Sequence, residues 1–204
     1  MNPRAPKRTW IEAGVTIGLL VAIMLSFARF AAWVELRPGV VLSDPLLRRF
    51  APRDVTWPIF GALYGGIVLT VALLIKHPPR LLAGCQAYGI MVLIRIAMMW
   101  ATPLDPPPDA IPLADPFVSF FGPSQVLTRD LFFSGHTATC TMLALAAPYR
   151  WARRLLAACA VTLASCVLLQ HVHYALDVLV APFASYGAWR ITQTLRARLG
   201  LASF

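Results

Sequence analysis

Runs of roughly 20 mostly apolar residues are long enough to cross the hydrocarbon core of a bilayer. This chain holds about six, near 10–34, 58–75, 81–100, 131–149, 154–170 and 174–191. Short turns separate them, apart from two polar, proline-bearing stretches at 35–57 and 101–130 that have room for structure of their own. A chain of 204 residues that is 58% hydrophobic and 13% charged, with a mean hydropathy of +0.67, carries more apolar side chain than one soluble core buries. The expectation is an all-α, polytopic membrane protein: a single integral membrane domain over residues 1–204, built from six transmembrane helices. The basic start at Arg4, Lys7 and Arg8 resembles a signal sequence, but the apolar run after it is longer than a signal core and reads as a retained first helix. Cys85, Cys140, Cys159 and Cys166 all fall inside apolar runs without zinc-type pairing, so they read as small hydrophobes and not as a disulfide framework.

The formal charge of +9 would invite a nucleic-acid reading in a soluble domain. Here it sorts by side. With six spans both termini share one face, and a cytoplasmic N-terminus puts Arg4, Lys7, Arg8, Lys76, Arg80, Arg150, Arg153, Arg154, Arg190, Arg196 and Arg198 inside. Only Arg37, Arg48, Arg49, Arg53 and Arg129 then lie in outer loops, together with Glu35, Asp44, Asp54, Asp105, Asp109, Asp115 and Asp130. That is a positive-inside pattern, so the charge is chiefly a topology signal and no nucleic-acid partner is expected. The 16 Arg against 2 Lys in an Ala-rich chain suggest a GC-rich bacterium, which would place the outer face in the periplasm.

Ionisable groups at membrane depth cost about 2.5 kcal/mol or more, so each needs a partner, a wet cavity or a route to the interface. Six matter: Arg29, Arg95, His136, His171, His173 and Asp177, all expected toward the outer leaflet. Arg29 and Arg95 have a bland reading as arginines that snorkel to head groups, and a single His at a helix end is usually interfacial. Three His and one Asp on one rim are harder to dismiss. His173 and Asp177 stand four apart and share a face if both are helical. The carboxylate then accepts the Nδ1 proton and leaves Nε2 as nucleophile or base. His136 follows Ser134-Gly135 at a helix start, where free N–H groups suit a phosphate. One nucleophilic and one acid/base histidine are what phosphoryl transfer through a phosphohistidine requires.

The stretch from Asp130 through Phe133, Ser134, Gly135, His136 and Thr137, followed by His171, His173, Tyr174, Asp177 and Val178, resembles the sphingomyelin synthase family, within the wider superfamily of type 2 phosphatidic acid phosphatases. The likeness is strong over 129–196. Upstream, Arg95, Trp100, Thr102 and Pro106-Pro107-Pro108 look like the family's third core helix and the loop after it, while Asp44-Pro45-Leu46 departs from its Pro-Leu-Pro-Asp element. Plain phosphatases of the superfamily carry Lys-x6-Arg-Pro and Ser-Arg motifs; this chain reads Ser165-Cys166-Val167 ahead of His173, and Phe133 replaces the Pro before Ser-Gly-His. These departures favour the synthase branch.

The resemblance implies a phosphotransferase that moves a phospho-alcohol head group from a glycerophospholipid donor to a ceramide or other hydroxyl-lipid acceptor. His173, oriented by Asp177, would be the nucleophile and His136 the acid/base. Arg95 and the backbone near Ser134 and Gly135 would hold phosphate oxygens, with Asp130, His171 and Tyr174 as further substrate binders and Phe132 and Trp100 as additional choline contacts. A lipid phosphatase or phospholipase C-like hydrolase using the same histidines, and a non-catalytic transporter or scaffold, are the rival classes. No cofactor is expected. A zinc set of His136, His171, His173 and Asp177 would need a helix that starts after His171, since positions two apart on a helix diverge.

Overall fold

The computed structural model describes residues 4–115 and 127–204, with side chains from Thr9 onward. The described residues form six α-helices: α1 Arg4–Val34, α2 Thr56–Leu74, α3 Pro78–Ala101, α4 Gly135–Ala146, α5 Arg150–Leu169 and α6 Ala175–Arg198. Local chemistry sets several ends. α3 opens on Pro78, whose missing N–H belongs to an unpaired position in any case. α4 opens after Ser134, whose side chain accepts from the Thr137 N–H.

α4 lies at the centre, packed against α2, α3, α5 and α6, while α1 lies against α3 at the edge. The buried residues of α4 are small or slender, including Ala138, Cys140, Ala144 and Ala146, and they let its neighbours approach closely. At its far end the Arg80 guanidinium donates to the carbonyls of Ala146, Leu145 and Ala147, which have no helical partner of their own.

The surface is the inverse of a soluble protein's. Leu19, Val68, Val161, Leu179 and Phe183 stand more than half exposed, while Arg95, Gln170, His173, Asp177 and Arg196 are buried. Such apolar cladding around a core that also shelters charged groups suits lipid as the solvent, and the chain reads as an integral membrane protein.

The expected count of six spans is met only in part. Four helices are long and apolar enough to cross a bilayer: α1 over Thr9–Val34, α2, α3 and α5. The run at 131–149 is helical for only 12 residues, about 18 Å at 1.5 Å per residue, against a hydrocarbon core of about 30 Å. Leu131–Ser134 is irregular instead, with Phe132 at a φ of 51°. α6 has the length but not the composition: besides Asp177, Ser185, Thr192 and Arg196 on its buried face it carries Arg190, Gln193 and Arg198.

The stretches expected as outer loops meet at one end of the bundle. Val40 pairs with Leu104 as an isolated parallel bridge, and a Cβ on Gly39 would run into the Leu104 carbonyl, so only glycine fits there. Glu35, at the end of α1, accepts from the N–H groups of Thr128 and Arg129 at 2.8 and 2.6 Å, and Arg129 reaches Asp105 at 2.6 Å. The four cysteines are unbridged.

Candidate active site

Two chain segments carry the site: the entry into α4 and the turn between α5 and α6. They are tied directly, since the Ser134 N–H donates to the Asp177 carbonyl at 3.1 Å. After α5, Gln170 is fully buried; its side chain accepts from Val55 N–H at 3.1 Å and donates to Thr56 Oγ1 and the Ile111 carbonyl. His171 then takes a left-handed φ of 57° that turns the chain. Tyr174 caps α6, and from outside the helix the Asp44 carboxylate accepts from the Ala175 N–H at 2.7 Å. Partial burial opposes ionisation of Asp44, but the N–H bonds from Ala175, Leu46 and Leu47 outweigh it and hold its carboxyl below the usual range.

His173 stands just ahead of α6, and its Nδ1 lies 3.2 Å from Asp177 Oδ2. The two do not share a helix face as the spacing predicts. α6 begins at Ala175, and the Asp177 side chain reaches back from its first turn, also accepting from the Tyr174 N–H at 3.2 Å. A carboxylate only accepts, so in this pairing the proton sits on Nδ1 and Nε2 keeps its lone pair. Asp177 is fully buried and its Oδ1 has no hydrogen-bond partner among the described residues.

The His136 ring, in the first turn of α4, faces His173 with ring centroids 6.3 Å apart and an interplanar angle of 63°. Phe60 packs edge-on against it at 5.8 Å. Both histidines line a pocket of about 210 Å³, with Asp130 on one side and Pro107, Pro108 and Val172 among the walls. Burial opposes ionisation of Asp130, but the Arg95 guanidinium at 2.8 Å more than offsets it, and its carboxyl is held below the usual range.

Several residues expected to touch substrate are not among those that line this pocket. Arg95 is 4% exposed and sits beneath the pocket, where its guanidinium donates to the Phe133 carbonyl and to the carbonyl and carboxylate of Asp130. These acceptors satisfy much of a buried guanidinium, and Arg95 is not among the residues that line the pocket. Gly135 lies directly over the guanidinium. Ser134 is fully buried and spends its hydroxyl oxygen on the Thr137 N–H and hydroxyl, as a cap does. The Tyr174 hydroxyl donates to the Asp105 carbonyl at 2.8 Å and accepts from the Leu42 N–H. His171 faces a neighbouring hollow shared with Leu42, Asp44 and Tyr174 and packs edge-on against Phe50. Arg29 is exposed on α1, away from the pocket. No three His, Cys, Asp or Glu side chains among the described residues are arranged to hold a metal ion.

Sequence reasoning missed Glu35, Asp44, Asp105 and Gln170 as the struts of this rim. The one available signal was Gln170, an uncharged polar residue ending an apolar run.

A family model described as PAP2 superfamily C-terminal matches residues 129–194, the segment that holds both histidines, Asp130 and Asp177. The match supports the type 2 phosphatidic acid phosphatase superfamily and, with it, an activity of the lipid phosphatase or phosphotransferase type in a membrane-embedded enzyme. None of the curated proteins matches the chain.

Proposed function

We propose that the protein transfers a phospho-alcohol head group, of the phosphocholine or phosphoethanolamine kind, from a glycerophospholipid to a hydroxyl lipid such as ceramide, in the manner of a sphingomyelin synthase. The observation that carries this reading is the Asp177–His173 pair facing His136 across one small pocket. His173 Nε2 attacks phosphorus, the N–P bond forms, and the bond from phosphorus to the diacylglycerol oxygen breaks. Protonated His136 gives its proton to that oxygen. In the second half the acceptor hydroxyl loses its proton to His136, its oxygen bonds to phosphorus, and the N–P bond breaks, as microscopic reversibility asks of one acid/base group.

The first-turn N–H groups at Gly135 and His136 lack helical acceptors and are suited to the phosphate oxygens as charge builds on them. Arg95 has a different part in this reading from the one its sequence suggests: it holds Asp130 and the entry to α4 in place from below.

The test uses the purified chain in bilayers of labelled phosphatidylcholine or phosphatidylethanolamine, with and without ceramide. Labelled product on the acceptor lipid supports transfer. Label appearing only as free phospho-alcohol would overturn transfer and leave a hydrolase at the same site. His173→Ala and His136→Ala should each abolish product, and full activity in either removes the mechanism.

A further inference from the structure

At the end of the bundle opposite His136 and His173, α3, α4, α5 and α6 and the tail beyond α6 enclose a hollow of about 650 Å³. Arg80, Arg153, Arg190 and Arg198 line it, and no Asp or Glu does. Two of these guanidinium groups converge: the Nη2 atoms of Arg80 and Arg153 lie 3.1 and 3.5 Å from the same acceptor, the Ala147 carbonyl. Among the described residues none of the four has an ion pair with a carboxylate.

Orienting a helix bundle in a membrane requires cations on one side, but it does not require them to face one another across a concave site. Like charges so placed repel, and an anion between them converts that repulsion into attraction. Guanidinium groups suit phosphate in particular, because their planar donors match its oxygens in pairs.

The walls add a second property. The Phe204 ring lies against Arg80 at 5.2 Å, and the Phe204 N–H is tied to Gln193 at 2.7 Å, so the tail closes one side. Tyr186 opens the other side onto the exposed apolar face of α6, where Phe183 is 71% and Leu179 63% exposed along the same helical stripe.

We propose that this hollow binds the phosphate of an anionic glycerophospholipid, with the acyl chains lying along Tyr186, Phe183 and Leu179. The site is independent of the chemistry at His173. Basic hollows between membrane helices are suited to such head groups.

The test is thermal unfolding of the full chain in detergent micelles doped with phosphatidylglycerol, with phosphatidylcholine, or with inorganic phosphate alone. Phosphatidylglycerol at about 100 times its dissociation constant should raise the unfolding temperature by about 5–10 °C over phosphatidylcholine. Arg153→Gln with Arg190→Gln should remove most of that rise. Arg190→Gln alone, on an exposed side chain, should reduce it, and Arg53→Gln at the other end should leave it whole. Equal shifts with the two lipids, or a full shift in the double variant, would overturn the proposal. Inorganic phosphate reproducing the whole shift would overturn the lipid assignment in favour of a soluble anion.

Discussion

Gly135→Ala provides a direct test of how the site is built. An alanine Cβ there would stand 2.6 Å from Arg95 Nη1, 2.8 Å from Cζ and 3.1 Å from Nη2, against a comfortable separation of about 3.5 Å. The guanidinium would have to retreat by nearly 1 Å, yet it is 4% exposed and anchored to Phe133 and Asp130. Losing one hydrogen bond from a buried charged group costs about 2–3 kcal/mol, and overpacking strain adds about 1–2. Helix propensity works the other way, by at most about 1 kcal/mol for Gly→Ala. The net expectation is a destabilisation of about 2–4 kcal/mol, or roughly 5–15 °C in unfolding temperature for a chain of this size. Calorimetry or tryptophan fluorescence of the purified protein in detergent reads it. On an Arg95→Met/Asp130→Asn background, with nothing rigid beneath residue 135, the same substitution should be close to neutral. A single variant that unfolds at or above the wild-type temperature would refute the close packing, because propensity would then have won.

Asp177→Asn keeps the shape of a fully buried side chain but can donate toward His173 Nδ1, favouring the tautomer without a lone pair on Nε2; turnover should fall about 10³–10⁴-fold with KM little changed, and a loss under tenfold removes the orienting role. Tyr174→Phe should cost about 1–3 kcal/mol of stability by leaving the Asp105 carbonyl and Leu42 N–H unpaired, while His173 stays competent; an inactive but fully stable variant would put Tyr174 back in contact with substrate. Asp130 has a lower pKa folded than unfolded, so the unfolded chain takes up its proton first as pH drops. Its contribution to stability should be whole above about pH 4 and fade below it. The gap between wild type and Asp130→Asn in unfolding temperature should therefore close on acidification, and a gap that widens would be inconsistent with the Arg95 pairing. Chelators should leave activity unchanged under the phosphohistidine mechanism, and a loss restored by zinc would overturn it.

What the sequence makes legible and what it hides divide along a physical line. A charged or imidazole side chain inside an apolar run is conspicuous because its cost in lipid demands a partner, and Arg95, His136, His173 and Asp177 stand out for that reason. The identity of the partner is another matter. Asp130 lies 35 positions from Arg95, too far for spacing along the chain to pair them. Nearness in sequence misleads in the same way at 171–174. A left-handed φ at His171 and the cap at Tyr174 turn these near neighbours of His173 toward a different hollow, so they read as one cluster in the chain but not in space.

Four of the six expected spans have the length and hydropathy of a membrane crossing, and the other two depart for different reasons. α6 places Asp177, Ser185, Thr192 and Arg196 on its buried face and turns Leu179, Phe183 and Ile191 outward, while Arg190, Thr194 and Arg198 are exposed toward its C-terminal end. A hydropathy average counts the buried polar groups against the helix although they face its neighbours. At the short α4 the apolar run outlasts the helix: its flanking residues are apolar enough to extend the run, but Phe133 is buried in the core and Ser134 ends the helix by capping it. A central helix of only three turns suits a site of this kind, since its N-terminal N–H groups and His136 then lie below the rim and are walled by longer neighbours.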